Sequence, residues 1–374
     1  MRGYKMERNG YKYQDAGERL KKLIETMDDG DKLPNRKILS EQLGIARTTL
    51  EHSIAELIAS GYLSSRGGSG TYVRKAGIEE NAGLQELNAL KFSTSHFNKK
   101  TWAILCSSIL GDIYPYIIRA VQDVAARHGI NVIVCSTDND TANEQSCLIK
   151  LVRDGVSGII IIPATHGDIN PLFYRRLQKT GVKLISCYRP LVGFLTPGVY
   201  CNSFESGYVA TKFLLDRGCK KIAYFSAPIY QTAYDRYQGF MMALASSGVA
   251  QDSHAVFMDS FTYDLAQCYR TILPSFDQYG IPDGIFAFND RLAQLVYQAL
   301  EIRHLRPGRD VKVIGCDNNN LCSELDPRLT SIELPVYEAG RRAAEMLWQY
   351  VNDEAVPTSH VFCESCKVIE RAST

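Results

Sequence analysis

Long apolar runs are missing from this chain of 374 residues. The longest, Gly158-Ile159-Ile160-Ile161-Ile162-Pro163, is strand-sized and far short of the ~20 apolar residues a membrane span needs. Met1 to Asn9 carries charges but no apolar core, so it does not read as a secretory signal. The chain is expected to stay in the cytoplasm, away from membranes. Histidine is scarce, with seven residues and no cluster. No Ser-His-Asp set, metal-ligand cluster or phosphate loop stands out. These absences argue against an enzyme and against a bound metal or cofactor. Net charge is nearly absent too, +1 overall, which by itself argues against a nucleic-acid partner. The balance is uneven, however: residues 1–75 hold 14 Lys/Arg against 10 Asp/Glu. A basic surplus at one end of an otherwise neutral body suits a small DNA-binding module.

Cysteine, by contrast, is plentiful. Most of the eleven fall in expected strands and helices (Cys106, Cys135, Cys187 and Cys316 among them) and read as small buried apolar residues of a reduced protein. The one close pair, Cys363-Glu364-Ser365-Cys366, lacks the second pair or the histidines of a zinc site and reads as structural. With 45% hydrophobic and 22% charged residues, the chain has the composition of a globular protein. Its length suits two or three compact units.

The first 75 residues carry a helical sequence pattern. Ala16, Leu20, Leu23, Ile24 and Met27 recur at helical spacing, and Asp28-Asp29-Gly30-Asp31 ends that helix. Leu33-Pro34 leads to Asn35, an N-cap for a second helix through Leu43, and Gly44 is placed to end it in the left-handed conformation. A third helix starts at Ile45-Ala46-Arg47-Thr48-Thr49-Leu50. Two helices around such a turn form a helix-turn-helix whose second member offers its first residues to the major groove. Gly61-Tyr62-Leu63 and Arg66-Gly67-Gly68-Ser69-Gly70-Thr71-Tyr72-Val73 then suggest two strands around a glycine-rich wing. This stretch resembles the GntR family of winged-helix repressors in Leu33-Pro34, Leu39 to Ile45, Arg47-Thr48-Thr49, Gly61 to Leu63 and Gly68 to Val73. The resemblance implies that Lys37, Arg47, Thr48 and Thr49 touch operator DNA and that Arg66, Gly67 and Gly68 enter the minor groove. Glu51 departs from the basic residue common in the family, which leaves the operator bases open.

Residues 76–100 lose clear periodicity and read as a linker. From Thr101 a second regime alternates apolar strands with amphipathic helices, beginning at Trp102-Ala103-Ile104-Leu105-Cys106. That alternation means parallel sheets covered on both faces. Ligands of such sheets bind beyond the carboxyl ends of the strands. Those ends hold Ser107, Asp112, Tyr114, Tyr188, Arg189, Asn289, Asp290 and Asp317, and Arg236 heads its helix. Polar and aromatic groups converging there suit a hydroxyl-rich small molecule. Taken singly, a strand-end Asp is more often a helix cap, and Asp290 reads most like one.

Residues 101–374 resemble the LacI-type sensor domain, which shares its two-lobed fold with periplasmic sugar-binding proteins. The matching segments are Tyr200 to Tyr208, Leu215 to Tyr224, Arg236-Tyr237-Gln238-Gly239-Phe240, Pro282 to Asp290, Val311 to Asp317 and Leu329 to Ile332. The resemblance implies crossovers near Asn202, Glu333 and Val356. It gives a first lobe of about 101–201 and 334–355, and a second of about 202–332 and 357–374. It also implies that Arg236, Asn289 and Asp317 hold an effector, with Arg189 and Tyr114 as additions. The expected fold is thus α/β: a winged helix-turn-helix over 1–75, a linker over 76–100, and a two-lobed periplasmic-binding-protein-like domain of parallel sheets flanked by helices over 101–374. A GntR-type reader on a LacI-type sensor is the arrangement of arabinose-repressor-like regulators. It implies a homodimeric transcription regulator released from operator DNA by a small effector, a mono- or disaccharide. A purine or phosphosugar is the alternative within the same architecture. A solute-binding protein would need a signal peptide and no DNA reader. A fused aminotransferase-like enzyme would need a Schiff-base lysine in a matching context, and none is found.

Overall fold

The computed structural model of the protein describes residues 19–20, 22–24, 26–28, 30–44, 50, 53–54, 57, 62–66, 70–73, 87, 97–109, 113–167, 169–228, 230–248, 252–260, 264–353, 360–363 and 365–374. In the N-terminal part, helix α1 (Arg36–Leu43) begins where the Asn35 side chain accepts a hydrogen bond from the N–H of Ile38. It ends at Gly44, whose φ of 64° is the left-handed stop read from the sequence. Strands β1 (Leu63–Arg66) and β2 (Gly70–Val73) pair antiparallel as the wing hairpin. Leu20, Ile24, Leu39, Leu50, Ile54, Leu57, Leu63 and Val73 form one buried cluster that ties helices and hairpin together. Arg47, Thr48, Thr49, Gly67 and Gly68 lie outside the described residues, as do the side chains of Lys37 and Arg66.

Two six-stranded sheets make the large part. The first contains β3 (Asn98–Cys106), β4 (Asn131–Ser136), β5 (Val156–Ile161), β6 (Lys183–Tyr188), β7 (Gly198–Tyr200) and β13 (His360–Phe362) in the order β13-β7-β6-β5-β3-β4. All its pairings are parallel. Helices α2 (Tyr114–Arg127), α3 (Thr141–Arg153) and α4 (Pro171–Lys179) connect its strands. The second contains β8 (Ile222–Ser226), β9 (His254–Phe257), β10 (Gly284–Ala287), β11 (Lys312–Cys316), β12 (Thr330–Glu333) and β14 (Lys367–Ile369), ordered β14-β12-β11-β10-β8-β9. Only β14, at its edge, runs antiparallel. Around it lie α5 (Ser203–Asp216), α6 (Gln231–Ser247), α7 (Leu273–Tyr279), α8 (Asp290–Ile302) and α9 (Leu321–Glu324), and α10 (Val336–Val351) returns to pack on α2, β5 and β6 of the first lobe. Among the described residues no helix is long and apolar enough to cross a membrane.

Two expectations are corrected. The third crossover does not fall at Val356: His360–Phe362 pairs with Gly198–Tyr200 in the first sheet, and the chain crosses only between Cys363 and Lys367. The N–H of Cys363 donates to the Tyr200 carbonyl at 2.8 Å, so this late strand covers what would otherwise be an open edge. Strand β3 starts at Asn98 rather than Thr101, because Asn98, Lys99 and Lys100 extend it as exposed polar residues with no apolar signal. Between β9 and α7 the chain makes a short turn (Leu265–Gln267) followed by a π-turn (Cys268–Ile272). Pro274 near the start of α7 has no N–H to continue an α-ladder, and the wider turn absorbs the break.

Helices α5 and α6 touch backbone to backbone. A Cβ on Gly207 would run into the Arg236 carbonyl, and one on Gly239 into the Phe204 carbonyl. Glycine to alanine in a helix normally stabilises, but here the added methyl has only backbone to displace. We expect Gly207→Ala and Gly239→Ala each to lower stability by about 1–3 kcal/mol, read as a shifted urea-unfolding midpoint.

Candidate effector site

The carboxyl ends of the first sheet supply Ser107, Tyr188 and Arg189, and those of the second supply Phe288, Asn289 and Asp317. Tyr188 closes β6 with φ at 70°, and the N–H of Arg189 bonds back to the Cys187 carbonyl at 2.8 Å. A three-residue turn of this hand is rare and strained. It turns the chain sharply just where Arg189 leaves the strand. The Arg189 guanidinium is buried, its Nε donating to the Pro163 carbonyl at 2.7 Å and Nη2 to Ser107 Oγ at 2.5 Å. It also lies 5.9 Å from the ring centres of both Tyr188 and Tyr230. Burial opposes its charge, yet the phenols of Tyr114, Tyr230 and Tyr188 outweigh that and raise its pKa.

Arg236, near the head of α6, is 0% exposed. Its Nη1 donates to the Phe288 carbonyl, and its guanidinium carbon sits 4.4 Å from the Phe288 ring centre. Nη2 stands 3.8 Å from Asp317 Oδ1. Among the described residues, neither Nε nor Nη2 of Arg236 has a hydrogen-bond partner. Asp317 has φ at 111° and Asn318 at 51°, so the loop after β11 is held in backbone conformations that L-residues seldom adopt. Its N–H groups are pinned: Asp317 to the Ile332 carbonyl at 2.8 Å, Asn318 to Ser331 Oγ at 3.1 Å and Asn319 to Asp290 Oδ2 at 2.9 Å.

The phenols of Tyr188 and Tyr230 interact with both arginines. Burial pushes Tyr188 well above the usual phenol value, against the pull of Arg236. Tyr230 is pushed up to about 12 by burial, against Arg189 and Arg236. Both therefore remain neutral hydroxyls that can donate as well as accept. Beside Asp317 opens a cavity of about 410 Å³, with Tyr116, Glu333, Leu334 and Val336 among its lining residues.

Residues 12–73 match the bacterial regulatory proteins of the gntR family, and residues 211–374 match the periplasmic binding protein-like domain. The HTH-type transcriptional repressor PurR of Mannheimia succiniciproducens is 32% identical over 244 residues, 63% of this chain and 70% of that protein. The chain belongs to the LacI-type transcriptional repressors, with a GntR-type reader at its head. The arabinose metabolism transcriptional repressor of Geobacillus stearothermophilus is 24% identical over 336 residues, covering 88% of each chain. The solved LacI family regulator from Enterococcus faecium with bound ribose is 26% identical, covers 74% of this chain and 98% of that one, and superposes with a TM-score of 0.63.

In this repressor the electrostatic and ring contacts gather Tyr114, Arg189, Arg236 and Asp317 into one group. Asp112 lies outside the described residues. The cap read at Asp290 falls one residue earlier, at Asn289. Asn289 is the cap of α8, its Oδ1 accepting from the N–H of Leu292 at 2.9 Å. Asp290, fully buried, accepts from Ser331 Oγ at 2.6 Å and from the N–H of Asn319, and so braces the Asp317 loop. Tyr230, Tyr116, Leu334 and Val336 went unread, since a loop tyrosine and a crossover segment carry no distinguishing pattern. Replacing Asp290 with alanine strands a buried hydroxyl and a buried N–H, at about 1–3 kcal/mol each. Urea unfolding of Asp290→Ala is expected to show that loss, and Asp290→Asn, which can still accept at one atom and donate at the other, a smaller one.

Proposed function

We propose that the repressor is a cytoplasmic homodimer, not an enzyme, whose effector is a neutral mono- or disaccharide. Arg236, Asp317, Arg189, Tyr114 and Asn289 hold the sugar, and its binding releases operator DNA. One observation carries the reading of the ligand: a fully buried guanidinium keeps Nε and Nη2 without a hydrogen-bond partner among the described residues. Buried donors of that kind are costly unless something accepts from them. Vicinal hydroxyls match a guanidinium edge, and the neighbouring carboxylate of Asp317 takes the protons those hydroxyls donate. Charge supports a neutral ligand over a phosphosugar, because Asp317 and the buried Asp290 offset the two arginines. The ribose of the Enterococcus faecium regulator and the arabinose repressor of Geobacillus stearothermophilus agree in class.

On the DNA side, two winged helices read the half-sites of a palindrome, with Arg47, Thr48, Thr49 and Lys37 at the major groove and Arg66, Gly67 and Gly68 at the minor. Effector binding is coupled to operator affinity through closure of the lobes, typically by ~1–3 kcal/mol.

A thermal-shift series with D-ribose, L-arabinose, D-xylulose, cellobiose, ribose 5-phosphate and hypoxanthine tests the ligand. A sugar at a hundred times its dissociation constant stabilises by about 2.7 kcal/mol. The shift is expected from one neutral sugar, and is expected to vanish in Arg236→Ala and Asp317→Ala. A response to the phosphosugar or purine alone would sink the sugar assignment. In gel-shift titrations with DNA upstream of its own gene, Arg47→Ala is expected to weaken binding by about 1–3 kcal/mol, and the same sugar to release the wild type.

A further inference from the structure

Glu144 lies outside the cleft, on the first turn of α3, and is 1% exposed. A carboxylate so placed has lost its water and needs strong donors. It has two: the Tyr174 hydroxyl from α4, and the N–H of Ala164 at 2.6 Å. The Ala164 N–H and the Pro163 carbonyl are the two ends of a single peptide unit. The Pro163 carbonyl is the acceptor for Arg189 Nε at 2.7 Å. Drawing on the N–H of an amide adds negative charge to its oxygen, so the two bonds strengthen one another. The same stretch of chain is fastened to the head of α3 at two further points. Thr141 N–H donates to the His166 carbonyl at 2.9 Å, and Thr165 N–H to Asn139 Oδ1 at 3.0 Å.

We infer that Glu144 is a positioning residue of the effector cleft, gripping the Pro163–Ala164 peptide so that its carbonyl holds Arg189 in place for the ligand. This rests on the reading of Arg189 as an effector contact. The grip depends on charge. A carboxylate accepts from both donors, whereas a protonated carboxyl gives up acceptor capacity and releases tension on the peptide. Burial raises Glu144 to about 7, with Tyr174, Ala164 and Arg189 pulling the other way. Among the described residues, the ionisable groups acting on it are Tyr174 from α4 and Arg189 from the end of β6, with Cys147 on its own helix.

Two readouts then move in opposite directions with pH. Because folding raises this carboxyl above its unfolded value, its contribution to stability is greatest at low pH and is lost as pH rises from the ordinary carboxylate range through about 7. Ligand affinity instead improves over the same rise, as the carboxylate forms and tightens its hold. A residue that only supported the fold would change the first and not the second.

The experiment uses the full-length protein, with D-ribose, L-arabinose, D-xylulose and cellobiose as probes in calorimetric titrations between pH 6 and pH 8. The bound probe is expected to bind wild type about five- to tenfold more tightly at pH 8. Glu144→Gln, which keeps the shape, accepts at one atom only and carries no titrating proton, is expected to show a flat profile. Tyr174→Phe, which removes one donor to the carboxylate, is expected to move the midpoint upward. A flat wild-type profile, or an unchanged slope in Glu144→Gln, would overturn the proposal. A urea-unfolding cycle with Glu144→Gln, Arg189→Lys and the double variant needs no ligand. The two side chains act through the peptide, so the cycle is expected to be non-additive, and additivity overturns the proposal as well. If no sugar binds the wild type, the sugar reading falls and the cycle alone decides the role of Glu144.

Discussion

A guanidinium withdrawn from water loses hydration worth several kcal/mol, and nothing less than well-placed partners restores it. Arg236 is in that position, and much of the sensor is arranged around the requirement. Its backbone is set by the contact of α5 with α6, which only Gly207 and Gly239 permit. Its charge faces the carbonyl and ring of Phe288, at the exit of β10, and the carboxylate of Asp317, at the exit of β11. Asp317 in turn stands in a loop whose positive-φ backbone is held by Ser331 and Asp290. Remove Asp317 and the guanidinium is left buried without its carboxylate, so within this lobe the arrangement is set before any ligand arrives.

The parts of this arrangement that could be read from residue order are those with a strong period. Strands β5 and β6 are buried along nearly their whole length and announce themselves as unbroken apolar runs. Asn35 and Gly44 could be placed because a cap and a left-handed stop each demand particular residue types. Strands β7 and β13 could not, since three residues carry no period and their pairing spans more than 150 positions of chain. Asn289 and Asp290 show another limit. One residue separates a cap from a brace, and both residue types suit either role; which is which follows from where α8 meets Ser331, a long-range fact. Glu144 is legible as a polar residue of an amphipathic helix and nothing more, because its meaning lies in a peptide twenty positions away.

Near the crossovers the described residues include a group of neutral thiols. Cys187, Cys201 and Cys363 meet there within one apolar cluster that includes residues of both sheets. The neighbouring Cys363 thiol and burial hold Cys201 well above the usual thiol value, and burial does the same for Cys187. These groups therefore stay uncharged. A neutral thiol packs like a small hydrocarbon and asks for no fixed hydrogen-bond geometry. Side chains of this kind can repack without leaving an unsatisfied side-chain polar atom behind.

The strand order also sets when the molecule can be completed. The reader's helix and hairpin lie within residues 36–73, whereas the first sheet waits for His360–Phe362 and the second for Lys367–Ile369. At about 5–20 residues per second, some tens of seconds of translation separate the two events. Throughout that interval the ribosome carries the reader attached to a sensor whose sheets are incomplete. A message cut short near its 3′ end would leave that state permanent: a reader joined to a sensor whose two sheets each lack their last strand.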